Sequence, residues 1–408
     1  MRVLFTASNW PGHWFCMVPL GWALQAAGHE VRVACPPAQA DGVTRAGLTP
    51  VPVLRSPDMM TMTRMMAYGE AVTGDRRLPG LPLHPFTGEP VARLDDFDFD
   101  TEGPRYWARC GEEIAASYDG AVAYARQWRP DLVCHDLMTP EGAAAAELVG
   151  ATAVYHPPGL FGTRETEPGV DLGDGDPSGS FPRLGLAPWH NGRIRYALDT
   201  TPESALPPFG DTVRLPLRYV PYNGPGELPD WALRPGPRPR VAVLWGGSAV
   251  GSAGQVPVLH TAVRTALEAG AEVVLTTGRE QVAALGGLPD GVRVLDRFPL
   301  HLLLETSTAI VHHGSVNCLM TAAAAGVPQL ALPLNDEQIA VSRRLAGSGA
   351  VTALPALAAG VDEVATGVKR LLHDDGPRDA ARRVYDEIAA QPSPAAVVAT
   401  LEELAARH

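Results

Sequence analysis

Residues 309–338 read A-I-V-H-H-G-S-V-N-C-L-M-T-A-A-A-A-G-V-P-Q-L-A-L-P-L-N-D-E-Q. Ala309-Ile310-Val311 is a short apolar run of strand type, and Gly314 permits a tight turn. An alanine-rich helix follows, then a second strand at Gln329–Leu332. A helix start is an anion site, because its free N–H groups and its dipole favour negative charge. His312 and His313 place donors that can carry charge at that point, and the Gly314, Ser315, Val316 and Asn317 backbone can face an anion. The same residues fit a helix cap beside two partly buried histidines. A metal ion suits them less: adjacent histidines rarely face one ion, and no third ligand is nearby.

Outward from this unit, the pattern is a βα series. Upstream come strands at 241–244, 272–276 and 292–295, with helices near 257–269 and 300–305. The amino-terminal half has its own series. Strands are expected at 3–7, 30–35, 131–134 and 151–155, with helices at 15–27 and 141–148. Alternating strands and helices argue for parallel sheets with right-handed crossovers. The fold class is therefore α/β, with two doubly wound domains facing each other across a cleft at the strand ends. Expected boundaries are 1–220 for the first domain, 221–239 for a proline-rich linker and 240–384 for the second domain. A final helix, 385–408, packs back on the first. Residues 56–106 and 157–195 interrupt the pattern as functional loops or excursions.

The chain has 408 residues, 46% hydrophobic and 19% charged, which suits two globular domains. No apolar run reaches the roughly 18 residues of a membrane span. The opening Met1–Thr6 leads into a strand–turn–helix and lacks the features of a signal peptide, so a cytoplasmic protein is expected. Five scattered cysteines without a CxxC pair read as reduced thiols. A net charge of −12 with no basic run argues against nucleic acid.

His13 lies in Ser8-Asn9-Trp10-Pro11-Gly12-His13, the loop after the first strand, where open α/β sheets bind ligands. Asp136 ends another strand on the same rim. A carboxylate beside an imidazole fixes its tautomer and stabilises the imidazolium, so the pair can serve as a general base and its orienter. A lone histidine is more often structural. Asn335-Asp336-Glu337-Gln338 fits sugar hydroxyls and also fits a helix cap. Asp95-Asp96-Phe97-Asp98-Phe99-Asp100 is a solvated acidic loop rather than a metal site. Met59, Met60, Met62, Met65 and Met66 form either an amphipathic helix or one wall of an apolar acceptor pocket, which Trp14, Phe15 and Trp107 would join. The first βα turn lacks GxGxxG, and the chain has neither GxxxxGK nor GxSxG.

Several segments in order carry a resemblance. They are Gly12-His13, VPLGWALQAAGHEVRVA (18–34), AGLTPVPV (46–53), RPDLVCHD (129–136) and RYVPYNGP (218–225), then VLDRFPLHLLL (294–304), HHGS (312–315), GVPQLALP (326–333) and Glu337-Gln338. Together they resemble the GT-B-fold family 1 glycosyltransferases of bacterial natural-product pathways, which move deoxysugars from nucleotide donors to macrolide, anthracycline and enediyne aglycones. The resemblance implies an inverting, metal-independent transfer with no cofactor and a dTDP-sugar as co-substrate. It implies that His13 is the base and Asp136 its partner. His312 would contact the pyrophosphate, helped by the Gly314–Asn317 backbone and by Gly247 and Ser248. Arg297 and Phe298 would hold the base; Asp336, Glu337 and Gln338 would hold the sugar. Many UDP-sugar relatives carry a Glu near 320 that binds ribose hydroxyls. Met320 stands here, which implies a deoxyribose donor. A homodimer and an auxiliary activator protein are both compatible with the resemblance. Two rivals are a sugar-nucleotide epimerase of the same fold and a non-catalytic homologue.

Overall fold

The computed structural model describes residues 1–171, 176, 178–246, 257–278, 282, 285 and 287–407; the expectations for Gly247 and Ser248 lie outside the described residues. The amino-terminal strands are β1 (Arg2–Thr6), β2 (Glu30–Ala34), β3 (Thr49–Val51), β4 (Leu132–His135), β5 (Thr152–Tyr155), β6 (Tyr196–Asp199) and β7 (Val213–Pro216). They pair in the order β3-β2-β1-β4-β5-β6-β7, with parallel neighbours throughout. The second sheet holds β8 (Arg240–Leu244), β9 (Glu272–Thr277), β10 (Val292–Asp296), β11 (Ala309–His312), β12 (Gln329–Ala331) and β13 (Val351–Ala353). Its order is β10-β9-β8-β11-β12-β13, again parallel.

These are the two doubly wound domains of a GT-B architecture. The central strands β4 and β11 are buried along their whole length because helices cover both faces. The helices Glu141–Val149 and Val316–Ala325 are alanine-rich for the same reason: small side chains let them lie close on the sheet. Winding reverses between β1 and β4 in one sheet and between β8 and β11 in the other. Each reversal opens a crevice at the carboxyl ends of the strands. The turn Ser8–His13 and Asp136 leave the first sheet there. Gly246, His313 and Gly314 leave the second.

The excursion at 56–106 is more ordered than a loop. It contains the helix Met59–Thr73 and the start of a 30-residue helix, Phe99–Trp128, with Pro104 inside it. Asp98 caps that helix start, accepting from Thr101 N at 3.2 Å, and Asp96 accepts from Ala92 N and Arg93 N in the turn before it. The carboxyl-terminal segment is two helices, Asp375–Ala390 and Pro394–Ala405. The second reaches the first domain, where Thr152 Oγ1 donates to Leu404 O and His29 meets Glu402 at 2.9 Å. All five cysteines are buried and unpaired. Among the described residues, no helix is long and apolar enough to cross a membrane.

A buried ion pair ties the domains together. Arg344, on the helix Asp336–Ala346, makes two 2.8 Å bonds to Glu165 in the 157–195 segment and a third to Leu160 O. Side-chain exposures are 12% and 4%. Removing one partner leaves the other charge dry, which costs about 3–5 kcal/mol. Arg344→Ala is therefore expected to lower the unfolding free energy by about 3 kcal/mol in a denaturant titration.

Candidate active site

A cavity of about 420 Å³ lies between the domains. Trp10, His13 and Phe15 line it from the first domain; Arg297, His313 and Asn317 line it from the second. Phe298, Ser315 and Val316 share the second wall. Ser315 is the N-cap residue of the helix Val316–Ala325, and its hydroxyl donates to Cys318 Sγ at 3.0 Å rather than accepting from the backbone. Gly314 turns the chain with φ 82°, and a Cβ there would meet Pro333 and Ser342 at 2.9–3.2 Å. Arg297 sits at φ 44°, a left-handed conformation uncommon outside glycine, with its N–H donated to Thr277 O.

The two histidines part ways. His312 is fully buried. Its Nε2 meets Gln329 Oε1 at 2.9 Å, and its Nδ1 accepts from Gly314 N at 3.0 Å. Burial, the neighbouring His313 and, in the opposite sense, Gln329 set its pKa at about 3. Both ring nitrogens are used inside the protein, so His312 shapes the turn and does not line the cleft. His313 is the histidine of the pair that lines the cavity. A strand turns alternate side chains to opposite faces, and the pair His312-His313 spans the last strand residue and the first turn residue. The doublet alone could not say which one faces the ligand. His313 Nδ1 lies 3.5 Å from Leu244 O, and its ring packs edge-on to Trp245. Burial pushes its pKa down to about 4, against the upward pull of the Leu244 carbonyl.

His13 sits in the short helix Pro11–Trp14 and is nearly buried. Burial lowers its pKa and the charge of Asp136 raises it. Its Nδ1 is buried without a hydrogen-bond partner. Asp136 accepts from Ser8 N on one oxygen and from Met138 N on the other, each at 2.7 Å. The carboxylate therefore fixes the turn that carries His13, and acts on the imidazole through charge.

Glu337 lines the cavity, and burial raises its pKa to about 7. Asp336 is paired with Arg77 of the first domain at 2.8 Å. Asn335 and Gln338 form a reciprocal cap: Asn335 Oδ1 accepts from Gln338 N, and Gln338 Oε1 accepts from Leu334 N. Gln338 is thus held by the backbone and is absent from the cavity wall. Met320 is fully buried against Gly159, so the argument drawn from position 320 loses its premise: that side chain faces the core.

A second cavity, about 280 Å³, lies within the first domain. Met59 and Met62 form part of its wall, with Leu54, Ile114, Leu137 and Trp189. The other expected pocket residues are elsewhere. Trp14 is in the core with its Nε1 donating to Gln39 Oε1; Met66 and Trp107 are exposed; Phe15 faces the interdomain cleft. The helix Met59–Thr73 has one face on the pocket and one in solvent, which divides its methionines. Ser8 lines this cavity, and Trp10–His13 line the other. The turn Ser8–His13 thus separates the two. Sequence reasoning missed Trp10, Thr277 and Glu141. Thr277 ends β9, a strand that had been recognised, so its place on the rim was the available signal.

Two facing doubly wound domains with a ligand-sized cleft at both switch points define the GT-B fold. The chain matches the family models described as erythromycin biosynthesis protein CIII-like, carboxyl-terminal domain at residues 261–404 and amino-terminal domain at residues 22–74 and 112–246. It is 36% identical to aklavinone 7-beta-L-rhodosaminyltransferase of Streptomyces galilaeus, over 100% of this chain and 96% of the relative. It is 34% identical to 10-deoxymethynolide desosaminyltransferase of Streptomyces venezuelae, over 100% and 98%. Among solved structures, glycosyltransferase VinC in complex with dTDP is similar at 29% identity and a TM-score of 0.73, covering 100% of both chains. The chain belongs to the erythromycin biosynthesis protein CIII-like family of glycosyltransferases.

Proposed function

We propose that this enzyme moves a deoxysugar from a dTDP-sugar to a hydroxyl of an apolar natural-product aglycone, with inversion at the sugar carbon. The observation that carries the reading is the turn Ser8–His13, with an interdomain cavity on one side and an apolar cavity on the other. The donor fits the interdomain cavity, where the helix start at Val316 and His313 offer donors to a diphosphate. Arg297 and Phe298 flank the nucleobase end, and Glu337 meets the sugar hydroxyls. The acceptor fits the apolar cavity. His13 takes the acceptor proton as the oxygen attacks the sugar carbon and the carbon–phosphate oxygen bond breaks. The transition state has oxocarbenium character. Negative charge on the departing diphosphate is met by the N–H groups of the helix start. Asp136 stabilises the imidazolium. The thymidine preference draws on the relative solved with dTDP.

Calorimetric titration with dTDP and with UDP tests the donor assignment. The expected result is binding that prefers dTDP and persists in EDTA. Absence of binding to both would sink the donor assignment, and equal or stronger UDP binding would sink the thymidine preference.

A further inference from the structure

The apolar cavity has an ionisable floor. Glu141 is the first residue of the helix Glu141–Val149, lines the cavity and is buried. It cannot shift outward easily. The next residue, Gly142, is so tightly seated that a Cβ would come within 2.4 Å of Thr6 Oγ1 and 2.8 Å of His135 Cβ. A directed chain of hydrogen bonds reaches it. Arg55 N donates to Ser117 Oγ at 3.2 Å, and Ser117 Oγ donates to Glu141 Oε1 at 2.8 Å. Polar atoms elsewhere in the same lining, Ser8 Oγ and Tyr155 Oη among them, are buried without a hydrogen-bond partner. Buried hydroxyls left without partners in an apolar pocket are costly, and such groups are ordinarily paired. Burial also raises the Glu141 pKa to about 7, despite the helix-start N–H and Ser117.

We infer that Glu141 is a positioning residue for the acceptor: with Tyr155 and Ser8 beside it, it accepts a hydrogen bond from an O–H or N–H group on an otherwise apolar acceptor, and selects acceptors that carry one. This rests on the reading of the cavity as the acceptor site. The carboxyl does not touch the reacting oxygen, which lies on the His13 side of the turn. Its effect is to hold the acceptor in one orientation.

The test uses a matched pair of fluorescent probes, 7-hydroxy-4-methylcoumarin and 4,7-dimethylcoumarin, titrated into the full chain. A hydrogen bond to a buried carboxyl is expected to favour the hydroxyl probe by about tenfold in wild type. Glu141→Leu should erase that preference, and the near-isosteric Glu141→Gln should reduce it, with dTDP affinity unchanged in both. Equal binding of the two probes by wild type overturns the inference, whatever the variants do. So does a preference that survives in both variants. The dTDP titration is a separate readout: its failure in wild type would sink the donor assignment rather than the role of Glu141.

Discussion

Replacing His13 by alanine is expected to cut sugar transfer by about 10²–10⁴, the usual contribution of a positioned general base, while dTDP affinity stays unchanged. The split follows from the structure. His13 is on the first-domain wall of the cleft, whereas the helix start and His313 belong to the second domain. Product formation by mass spectrometry over a panel of aglycones, paired with calorimetry for dTDP, reads both halves. Loss of dTDP binding in His13→Ala would contradict the assignment. The pH profile adds a sign. Burial lowers the His13 pKa below 6.5, so the base is neutral at pH 7 and activity should fall only as acid protonates it. Asp136→Asn is a poorer probe of the same mechanism. Its carboxylate accepts two backbone N–H groups, and an amide there would turn its NH2 donor toward one of them. That variant should lose stability as well as rate.

The sequence carried the frame of this site better than its details. Apolar runs bounded by small residues located β1, β4, β8 and β11, whose carboxyl ends form the two crevices, because buried parallel strands have no polar face to blur the signal. Strands β3, β6, β7 and β13 were not read from the sequence. The segment 56–106 read as a loop or excursion, yet its last part, with Gly103 and Pro104, lies inside a continuous helix of 30 residues, where tertiary packing outweighs local preference. At the site, residues named through backbone geometry held their place: Gly314, Ser315, Val316 and Asn317 make the turn and helix start. Side-chain direction was less legible. His312, Gln338, Met320 and Trp14 all turn inward, and in each case the neighbour that decides this is remote in sequence or on the backbone. Glu141 left no trace because one glutamate before an alanine run reads as an ordinary helix start.

The diphosphate should bring a proton with it. Burial pushes the His313 pKa down to about 4, so the ring is neutral at pH 7. A nucleotide diphosphate beside the ring reverses the balance: nearby negative charge favours the imidazolium, and the bound-state pKa should rise toward or above the ordinary 6.5. The sign is then fixed. Between the free and bound pKa values, binding takes up a proton, so affinity falls as pH rises through that window; above the bound-state value it is flat. Calorimetry of dTDP in buffers of different ionisation enthalpy measures the uptake directly. The terminal phosphate titrates at roughly pH 6 as well, so the comparison that isolates the side chain is His313→Gln, which keeps a donor but cannot titrate. His313→Ala should weaken dTDP by about tenfold or more, the usual value of a charge-assisted hydrogen bond to phosphate. His312→Ala should behave differently. It removes a fully buried ring that joins Gln329 to Gly314, so its first effect is on unfolding, with dTDP weakened only as far as the turn loosens. If instead His312→Ala abolished dTDP binding in a stable protein while His313→Ala bound normally, the two histidines would have been assigned to the wrong sides of the turn.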